Sequence, residues 1–186
     1  YICFMSTTDL SKFSNSWYNP GNRFKRACWF LMNAVFLQNP VVPFSSIKVF
    51  LLRTFGAKIG KNVVVKPNVN IKYPWNLTVG DNSWIGEKVW IDNLGKVTIG
   101  KNVCLSQGAF LLCGNHDYKK ETFDLMVKEI ILEDGVWIGA KAVVCPGVTC
   151  KSHSVLAVGS IATSDLESYS IYQGNPAVKI KVRVIE

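Results

Sequence analysis

The chain contains only two histidines, and one of them stands where a catalytic base would be useful. His116 lies at the start of a long stretch, residues 115–131, that interrupts an otherwise regular sequence pattern. Histidine takes up a proton near neutral pH more readily than other side chains, so it can remove the proton of an attacking hydroxyl group. Insertions that begin with such a residue are often functional. The sequence therefore indicates His116 as a candidate general base.

The second histidine and the cysteines do not form a metal-binding pattern. His153 falls at an outward-facing place of a regular repeat, where we expect a solvated surface residue. A catalytic zinc site uses three protein ligands, whereas the six cysteines show no CxxC pair and no histidine at metal-binding spacing. We therefore expect no metal, and buried thiols in a reducing, cytoplasmic environment.

The stretch from Ile59 to Thr163 must position these side chains, and it repeats every six residues. Thirteen of the fourteen first positions carry Ile, Leu or Val, and twelve of the fourteen fifth positions are small or β-branched. A period of six matches neither an α-helix nor an alternating strand, so it favours a coiled chain in which three hexads complete one turn. First positions then point into the coil. They are Ile59, Val65, Ile71, Val79, Ile85, Ile91, Ile99, Leu105, Leu111, Leu132, Ile138, Val144, Cys150 and Leu156.

Segments before the hexads are expected to close one end of the coil. Residues 24–38 predict one helix, and a second helix with Ser45 or Ser46 as its N-cap follows. An open coil end exposes unpaired backbone, so helices are expected to cover it. The sequence thus predicts an N-terminal extension and helical cap, residues 1–56, and then a β-helix domain with a protruding loop and a C-terminal tail, residues 57–186.

The hexads, the His116 loop and four further segments resemble the hexapeptide-repeat acyltransferases, in particular those of colanic-acid and exopolysaccharide biosynthesis. The resemblance covers about residues 45–183. It implies an all-β fold, a left-handed parallel β-helix, and homotrimers with each active site between neighbouring subunits. It also implies acetyl-CoA as the co-substrate. The four segments are Tyr73–Leu77, Ile85–Ile91, Val136–Ala140 and Gly174–Ala177.

The resemblance also implies roles for individual residues. His116 matches the family's general base, and the backbone N–H of Ala140 takes the place of the donor to the developing oxyanion. Asp124 or Glu121 is a candidate for orienting His116 from the far end of the loop. The residues expected to contact coenzyme A are Trp137, Gly139, Ala140, Val158, Thr163, Lys179 and Lys181.

The phosphates of coenzyme A require basic partners, and two lysines are candidates. Lys179 and Lys181 can both form charge-assisted hydrogen bonds. Members of the family often carry a basic residue directly after the Asn-Pro-Ala segment, whereas this chain has Val178 there, so the choice between the lysines stays open. The residues expected on the acceptor side, near a slip in the repeat, are Asp92, Asn93 and Trp90.

The leading expectation is an acetyl-CoA-dependent O-acetyltransferase that acts on a saccharide hydroxyl. N-acetylation of an amino-sugar nucleotide would use the same groups, and a non-catalytic β-helix binding protein is a third possibility. The γ-type carbonic anhydrases share the fold, but their zinc needs three histidines and this chain has two.

The net charge of +8 suggests an anionic partner. The basic residues are spread along the chain without clustering, so nucleic acid is a poor fit, and an acidic saccharide or a phosphate-bearing co-substrate fits better. No apolar run is long enough to span a bilayer. The weaker alternative is contact with a membrane surface. It would involve Lys25, Arg26, Trp29 and Phe30.

Overall fold

A computed structural model describes residues 7–186 of the chain. The chain coils so that its strands form three sheets. Most of its strands are short because each forms one side of a three-sided coil, whereas two strands form a separate hairpin. The strands are β1 (Lys58–Ile59), β2 (Val64–Val65), β3 (Asn70–Ile71), β4 (Leu77–Val79), β5 (Trp84–Ile85), β6 (Trp90–Asp92), β7 (Val97–Ile99), β8 (Cys104–Leu105), β9 (Phe110–Leu112), β10 (Gly114–His116), β11 (Leu125–Val127), β12 (Ile130–Leu132), β13 (Trp137–Ile138), β14 (Val143–Val144), β15 (Thr149–Cys150), β16 (Val155–Leu156), β17 (Ile161–Ala162), β18 (Ser170–Gly174) and β19 (Ala177–Val182). The hairpin strands are β10 and β11.

Three sheets make the three sides of the coil. Sheet A contains β1, β4, β7, β12 and β15, and sheet C contains β3, β6, β9, β14 and β17. Sheet B contains β2, β5, β8, β13, β16 and β18, with β19 at its edge. This arrangement is the left-handed parallel β-helix that the resemblance implies, so the fold prediction is confirmed.

The six-residue period matches the interior of the coil. Ile71 pairs with Ile91, and Ile91 pairs with Leu111, so equivalent residues of successive coils lie directly over one another. Thirteen of the fourteen first-position side chains are at most 2% exposed, with Ile59 half-buried at the first coil. Stacks of aliphatic side chains therefore form the core, and the hexads are explained by burial.

Helix α2 (Ser45–Thr54) covers the first coil, as the sequence predicts for a helical cap. The side chain of Arg53 donates hydrogen bonds to the carbonyl oxygens of Ile59 and Gly60, at 2.9 and 2.7 Å. Ser45 does not cap its own helix. Its hydroxyl accepts a hydrogen bond from the N–H of Val65 at 2.8 Å, so the side chain satisfies the open edge of the coil.

Helix α1 (Arg23–Met32) lies against the side of the first coils and continues into a π-helical turn, Asn33–Leu37. Trp29 is buried, and its indole N–H donates to the carbonyl oxygen of Ile71 at 2.7 Å. The opposite side of the helix is apolar and exposed. The residues on that side are Phe24, Phe30, Leu31 and Val35. Within residues 7–186, no helix is both long and apolar enough to traverse a bilayer.

The five described cysteines are all unpaired thiols. Cys113 and Cys150 are buried, and the other three are half-buried, which agrees broadly with the expectation of buried thiols. Cys3 lies outside the described residues. No group of three or more histidine, cysteine, aspartate or glutamate side chains within residues 7–186 is placed to hold a metal ion.

Lys48 of α2 is fully buried, and no described residue accepts a hydrogen bond from its Nζ. An uncompensated buried polar group is destabilising. Burial lowers the pKa of Lys48. The unfolded chain therefore binds more protons than the folded chain between the two pKa values, and stability rises with pH in that window.

We expect Lys48→Met to raise the free energy of unfolding at pH 7 by about 1–3 kcal/mol. Chemical denaturation measures the change. The difference in the free energy of unfolding between the variant and the wild type should decrease as the pH approaches ~10.4, where lysine in the unfolded chain also loses its proton. Lys66→Met, at an exposed position, is the matched control. A Lys48→Met variant that is less stable than the wild type would contradict this account.

Candidate active site

The excursion from the coil forms an antiparallel hairpin that carries His116. Strands β10 and β11 pair with His116 opposite Leu125 at the end of the ladder. The imidazole Nδ1 lies 2.8 Å from the carbonyl oxygen of Phe123, and the ring stacks on the Phe123 ring with centroids 4.4 Å apart. Phe13, from the N-terminal segment, contacts the imidazole at a centroid distance of 5.6 Å. His116 is therefore held on several sides.

The contact with Phe123 favours one tautomer of the histidine. A carbonyl oxygen can only accept a hydrogen bond, so in the neutral ring Nδ1 carries the proton and Nε2 keeps its lone pair. Phe123 has φ +50°, a left-handed conformation that is unusual for a bulky residue. Backbone strain of this kind often occurs at functional sites. Here it accompanies the approach of the Phe123 carbonyl oxygen to the imidazole.

The acidic residues of the loop do not hold His116. Lys120 Nζ lies 2.8 Å from a carboxylate oxygen of Asp124, and Lys12 Nζ lies 2.6 Å from Glu121. The hydrogen bond from Lys120 lowers the pKa of Asp124. The structure thus places both candidate orienting carboxylates on lysines, because a backbone carbonyl already takes the partner position at the ring.

A trench of about 700 Å³ runs along the corner between sheets B and C. Five of the residues expected to contact coenzyme A line it, and its volume is typical of small-molecule sites. The trench is also lined by Ser106, Gln107 and Arg183, which the sequence did not indicate as site residues. The five expected residues are Trp137, Gly139, Ala140, Val158 and Lys181.

Gly139 and Ala140 give the trench its floor. A Cβ on residue 139 would lie 2.6 Å from the backbone nitrogen of Val158, so only glycine fits between these coils. No described residue accepts a hydrogen bond from the N–H of Ala140. The N–H of Lys101, on another corner, differs in this respect, because a carboxylate oxygen of Asp134 accepts its hydrogen bond at 2.7 Å. The Ala140 N–H is thus free to bind a negatively charged oxygen.

Two expected coenzyme A contacts lie elsewhere. Thr163 follows β17 at the other edge of sheet C and lines a separate cavity of about 330 Å³ together with Asn115. Lys179 Nζ lies 2.6 Å from a carboxylate oxygen of Glu167, which leaves Lys181 as the lysine at the trench. The place of Thr163 follows from the hexads, because Ala162 pairs with Val144 on sheet C, one side of the coil beyond the trench. The place of Lys179 does not, because it depends on the chain beyond the last coil.

The three acceptor-side candidates have different surroundings. Asn93 is buried, and its amide bonds to both the N–H and the carbonyl oxygen of Tyr73, so its polar atoms are occupied by the backbone. Asp92 is buried beside Lys72, with Nζ 2.9 Å from its carboxylate. Trp90 is 44% exposed and stacks on Phe110. Asp92 and Trp90 line a cavity, whereas Asn93 supports the loop at Tyr73.

His116 and the trench occupy opposite edges of sheet C. The chain enters sheet C at the corner after Gly139 and leaves its third coil at Cys113, just before His116. One side of the coil holds about six extended residues and is therefore roughly 15–20 Å wide. Within one subunit, the imidazole and the Ala140 N–H therefore lie at different corners of the coil.

His153 is not the solvated residue expected from its place in the repeat. It is half-buried, its ring stacks on Tyr169 at 4.7 Å, and its backbone has φ +60°. The C-terminal segment explains the difference, because Arg183 donates a hydrogen bond to the His153 carbonyl oxygen at 3.2 Å. The ring thus packs under the chain that follows the last coil.

Comparisons with known proteins agree on the class of protein. WcaF of Escherichia coli (strain K12), named as a colanic acid biosynthesis acetyltransferase, is 39% identical over 178 residues, which cover 95% of this chain and 97% of WcaF. No protein-family model matches the chain.

Solved structures show the same fold. The hexapeptide-repeat-containing acetyltransferase VCA0836 from Vibrio cholerae matches with a TM-score of 0.78 at 22% identity, over 86% of this chain and 90% of that one. A galactoside acetyltransferase in complex with coenzyme A matches with a TM-score of 0.75 at 27% identity, over 86% and 80%. The near-full-length identity to WcaF shows that the chain belongs to the family of hexapeptide-repeat acetyltransferases, which are acyltransferase enzymes.

Proposed function

We propose that the protein transfers an acetyl group from acetyl-CoA to a hydroxyl group of a saccharide, with His116 as the general base. The observation that carries this proposal is the contact between His116 Nδ1 and the carbonyl oxygen of Phe123. It leaves Nε2 as the proton acceptor in the neutral ring, which is the form that a base requires.

The trench fits the co-substrate on independent grounds. The free N–H of Ala140, the cradle at Gly139 and the basic side chains of Lys181 and Arg183 match the needs of a thioester, a narrow pantetheine arm and phosphates. Acetyl-CoA would supply the acetyl group as a thioester. Trp137, whose indole N–H donates to Ser106 Oγ at 2.9 Å, would form the wall of the trench.

The chain's own residues then account for the reaction. Nε2 of His116 takes the proton of the attacking hydroxyl, which makes that oxygen a stronger nucleophile. The Ala140 N–H donates to the carbonyl oxygen on which negative charge develops. The histidine can return its proton to the departing sulfur, so it ends the cycle neutral. Phe123 acts as a positioning residue through its backbone oxygen.

We further propose that each active site is shared between two subunits of a homotrimer. The imidazole and the trench occupy opposite edges of sheet C, roughly 15–20 Å apart, whereas proton transfer requires hydrogen-bond distances. Exposed aromatic side chains on the outer faces support an assembly in which these edges meet. They include Trp84, Trp90 and Trp137.

Mixed oligomers test the shared site. We expect His116→Ala and Ala140→Trp each to have lower activity as homo-oligomers at limiting acetyl-CoA, and the co-expressed mixture to exceed both. In randomly assembled trimers, about a quarter of the sites would combine an intact histidine with an intact trench. Turnover of the purified mixed species measures the recovery. A mixture no more active than the two homo-oligomers, with mixed oligomers verified by mass spectrometry, would place both parts of the site in one subunit.

An acceptor panel tests the proposed reaction itself. Thiol release from acetyl-CoA is followed with neutral saccharides, acidic saccharides and amino sugars, and the products are identified by mass spectrometry. Acetyl esters on saccharides support O-acetylation. Acetamides alone would replace it with N-acetylation, and absence of turnover with every acceptor class would favour a binding protein.

The family relationship supports a place in polysaccharide biosynthesis, since the name of WcaF refers to colanic acid biosynthesis. We propose a cytoplasmic location on the basis of the five described thiols, none of which forms a disulfide among the described residues. The proposed pathway and the proposed location both depend on the O-acetylation proposal, because acetyl-CoA and the saccharide acceptor must be present in the same compartment.

A further inference from the structure

A second cavity, of about 580 Å³, lies between α1 and the first two coils of sheet C. Four aromatic side chains contribute to its walls, and Trp90 among them is 44% exposed. Most of its other lining residues are polar or charged, and apolar surface combined with polar groups is typical of small-molecule sites. The aromatic side chains are Trp29, Phe30, Tyr73 and Trp90.

Polar atoms at the cavity lack partners within the protein. The Nε of Arg26 and the Oδ1 of Asn33 are buried, and no described residue forms a hydrogen bond with either atom. Asn33 is 5% exposed, and its Nδ2 donates to Asn70 Oδ1 at 2.8 Å, which fixes the amide while its oxygen stays unpaired. Native proteins pair almost all buried polar groups, so unpaired ones that line a cavity point to a ligand.

The charges at the cavity favour an anion. Among the described lining residues, Asp92 is the single carboxylate, whereas three side chains are cationic. Lys72 Nζ lies 2.9 Å from the Asp92 carboxylate, although the geometry is not that of an aligned hydrogen bond. The two guanidinium groups, of Arg23 and Arg26, have no acidic partner among the described residues. Guanidinium groups suit carboxylates and phosphates because they offer paired donors.

The cavity lies on the same edge of the coil as His116. Ile71, Ile91 and Leu111 occupy equivalent positions in successive coils. Lys72 and Asp92 are therefore stacked in line with Leu112, and Leu112 precedes His116 by four residues. Neighbouring coils are about 4.8 Å apart, which puts this charged end of the cavity roughly 5–10 Å along the coil axis from the level of His116. A molecule longer than one sugar ring can extend from the cavity towards the histidine.

We propose that this cavity binds the anionic part of the saccharide acceptor, a carboxylate or a phosphate, through Arg23 and Arg26. The aromatic walls hold the sugar rings, and the reacting hydroxyl belongs to a neighbouring part of the same molecule. The inference rests on the proposed function only in naming the ligand as the acceptor. Binding of a saccharide oxyanion at the cavity can be measured without turnover.

Protein-detected NMR titration tests the site with three probes. They are methyl β-glucuronide, glucose 1-phosphate and neutral methyl β-glucoside. We expect at least one charged probe to bind about tenfold more tightly than the neutral one, with shifts at α1 and β6. The tighter of the two charged probes identifies the anion as carboxylate or phosphate. Equal affinities for all three would overturn the proposal.

Substitutions locate the charge recognition. Arg26→Gln and Arg23→Gln should each reduce the preference for the charged probe several-fold, and Arg23 is exposed, so its variant should fold normally. Lys66→Gln removes one positive charge at an exposed position away from the cavity and is the matched control. A preference that survives both arginine substitutions would overturn the proposal.

Failure of this inference differs from failure of the proposed function. If acetyl transfer to neutral saccharides is as efficient as transfer to charged ones, the anion site is wrong and the O-acetyltransferase stands. If the charged probes bind through Arg23 and Arg26 but no saccharide is acetylated, the anion site stands and the proposed reaction is wrong.

Discussion

His116→Ala is expected to lower the turnover number by about 10²-fold or more while the affinity for acetyl-CoA stays unchanged. The reason lies in the geometry. The ring is held at Nδ1 by the Phe123 carbonyl and between two aromatic rings, so its Nε2 is oriented for one task, the acceptance of a proton. Steady-state kinetics measure turnover, and calorimetry measures the binding of acetyl-CoA.

The other histidine provides the control for this substitution. His153→Asn should retain the turnover of the wild type, because the ring packs on Tyr169 and asparagine tolerates its positive φ. A His116→Ala variant as active as the wild type would exclude the histidine as the base. Loss of acetyl-CoA affinity in that variant would instead indicate that the hairpin supports the trench.

Ala140→Trp is expected to weaken acetyl-CoA binding by at least about tenfold, which corresponds to 1.4 kcal/mol. The indole would fill the floor of the trench next to Gly139, where the coils already approach so closely that no Cβ fits. The backbone N–H would still be present, so the variant tests access to the site. Calorimetry with the purified oligomer measures the affinity.

Glu87→Trp is the matched control for the trench. Glu87 occupies the same place of its hexad as Ala140, two coils earlier on the same corner, and its side chain is exposed. The Glu87→Trp variant therefore places the same side chain at an equivalent backbone position outside the trench. Equal loss of affinity in both variants would mean that tryptophan disturbs the coil in general, and unchanged affinity in Ala140→Trp would exclude this trench as the donor site.

The coil was predictable because burial at one position in six leaves a trace in residue type. First positions are aliphatic, and their side chains are almost all fully buried, so the period gives both the coil and its interior. The motifs around them predicted His116 as a candidate base and five of the residues that line the trench. Trp137, Gly139 and Ala140 lie on one corner of one coil, where spacing along the sequence converts directly into spacing in three dimensions.

The parts that sequence reasoning missed depend on backbone atoms or on distant packing. The partner of His116 is a carbonyl oxygen, and no residue type encodes it, although the left-handed conformation of Phe123 marks the place once coordinates are known. Thr163 and Lys179 were assigned from local similarity, but the edge of the coil and the pairing with Glu167 take them away from the trench. The cavity between α1 and sheet C forms only because the helix packs against the coil, and no periodic pattern in the sequence indicates that long-range contact.

The two ends of the coil determine how the protein behaves at high concentration. At the first coil, Arg53 and Ser45 of α2 occupy backbone groups that a further strand would otherwise pair with. At the last coil, β18 is followed by β19, which turns back antiparallel along it and presents lysines at the outer edge. Charged edge strands resist strand addition. Stacked β-structure can grow by strand addition, and here the first coil and the outer edge of sheet B both carry groups that oppose such growth.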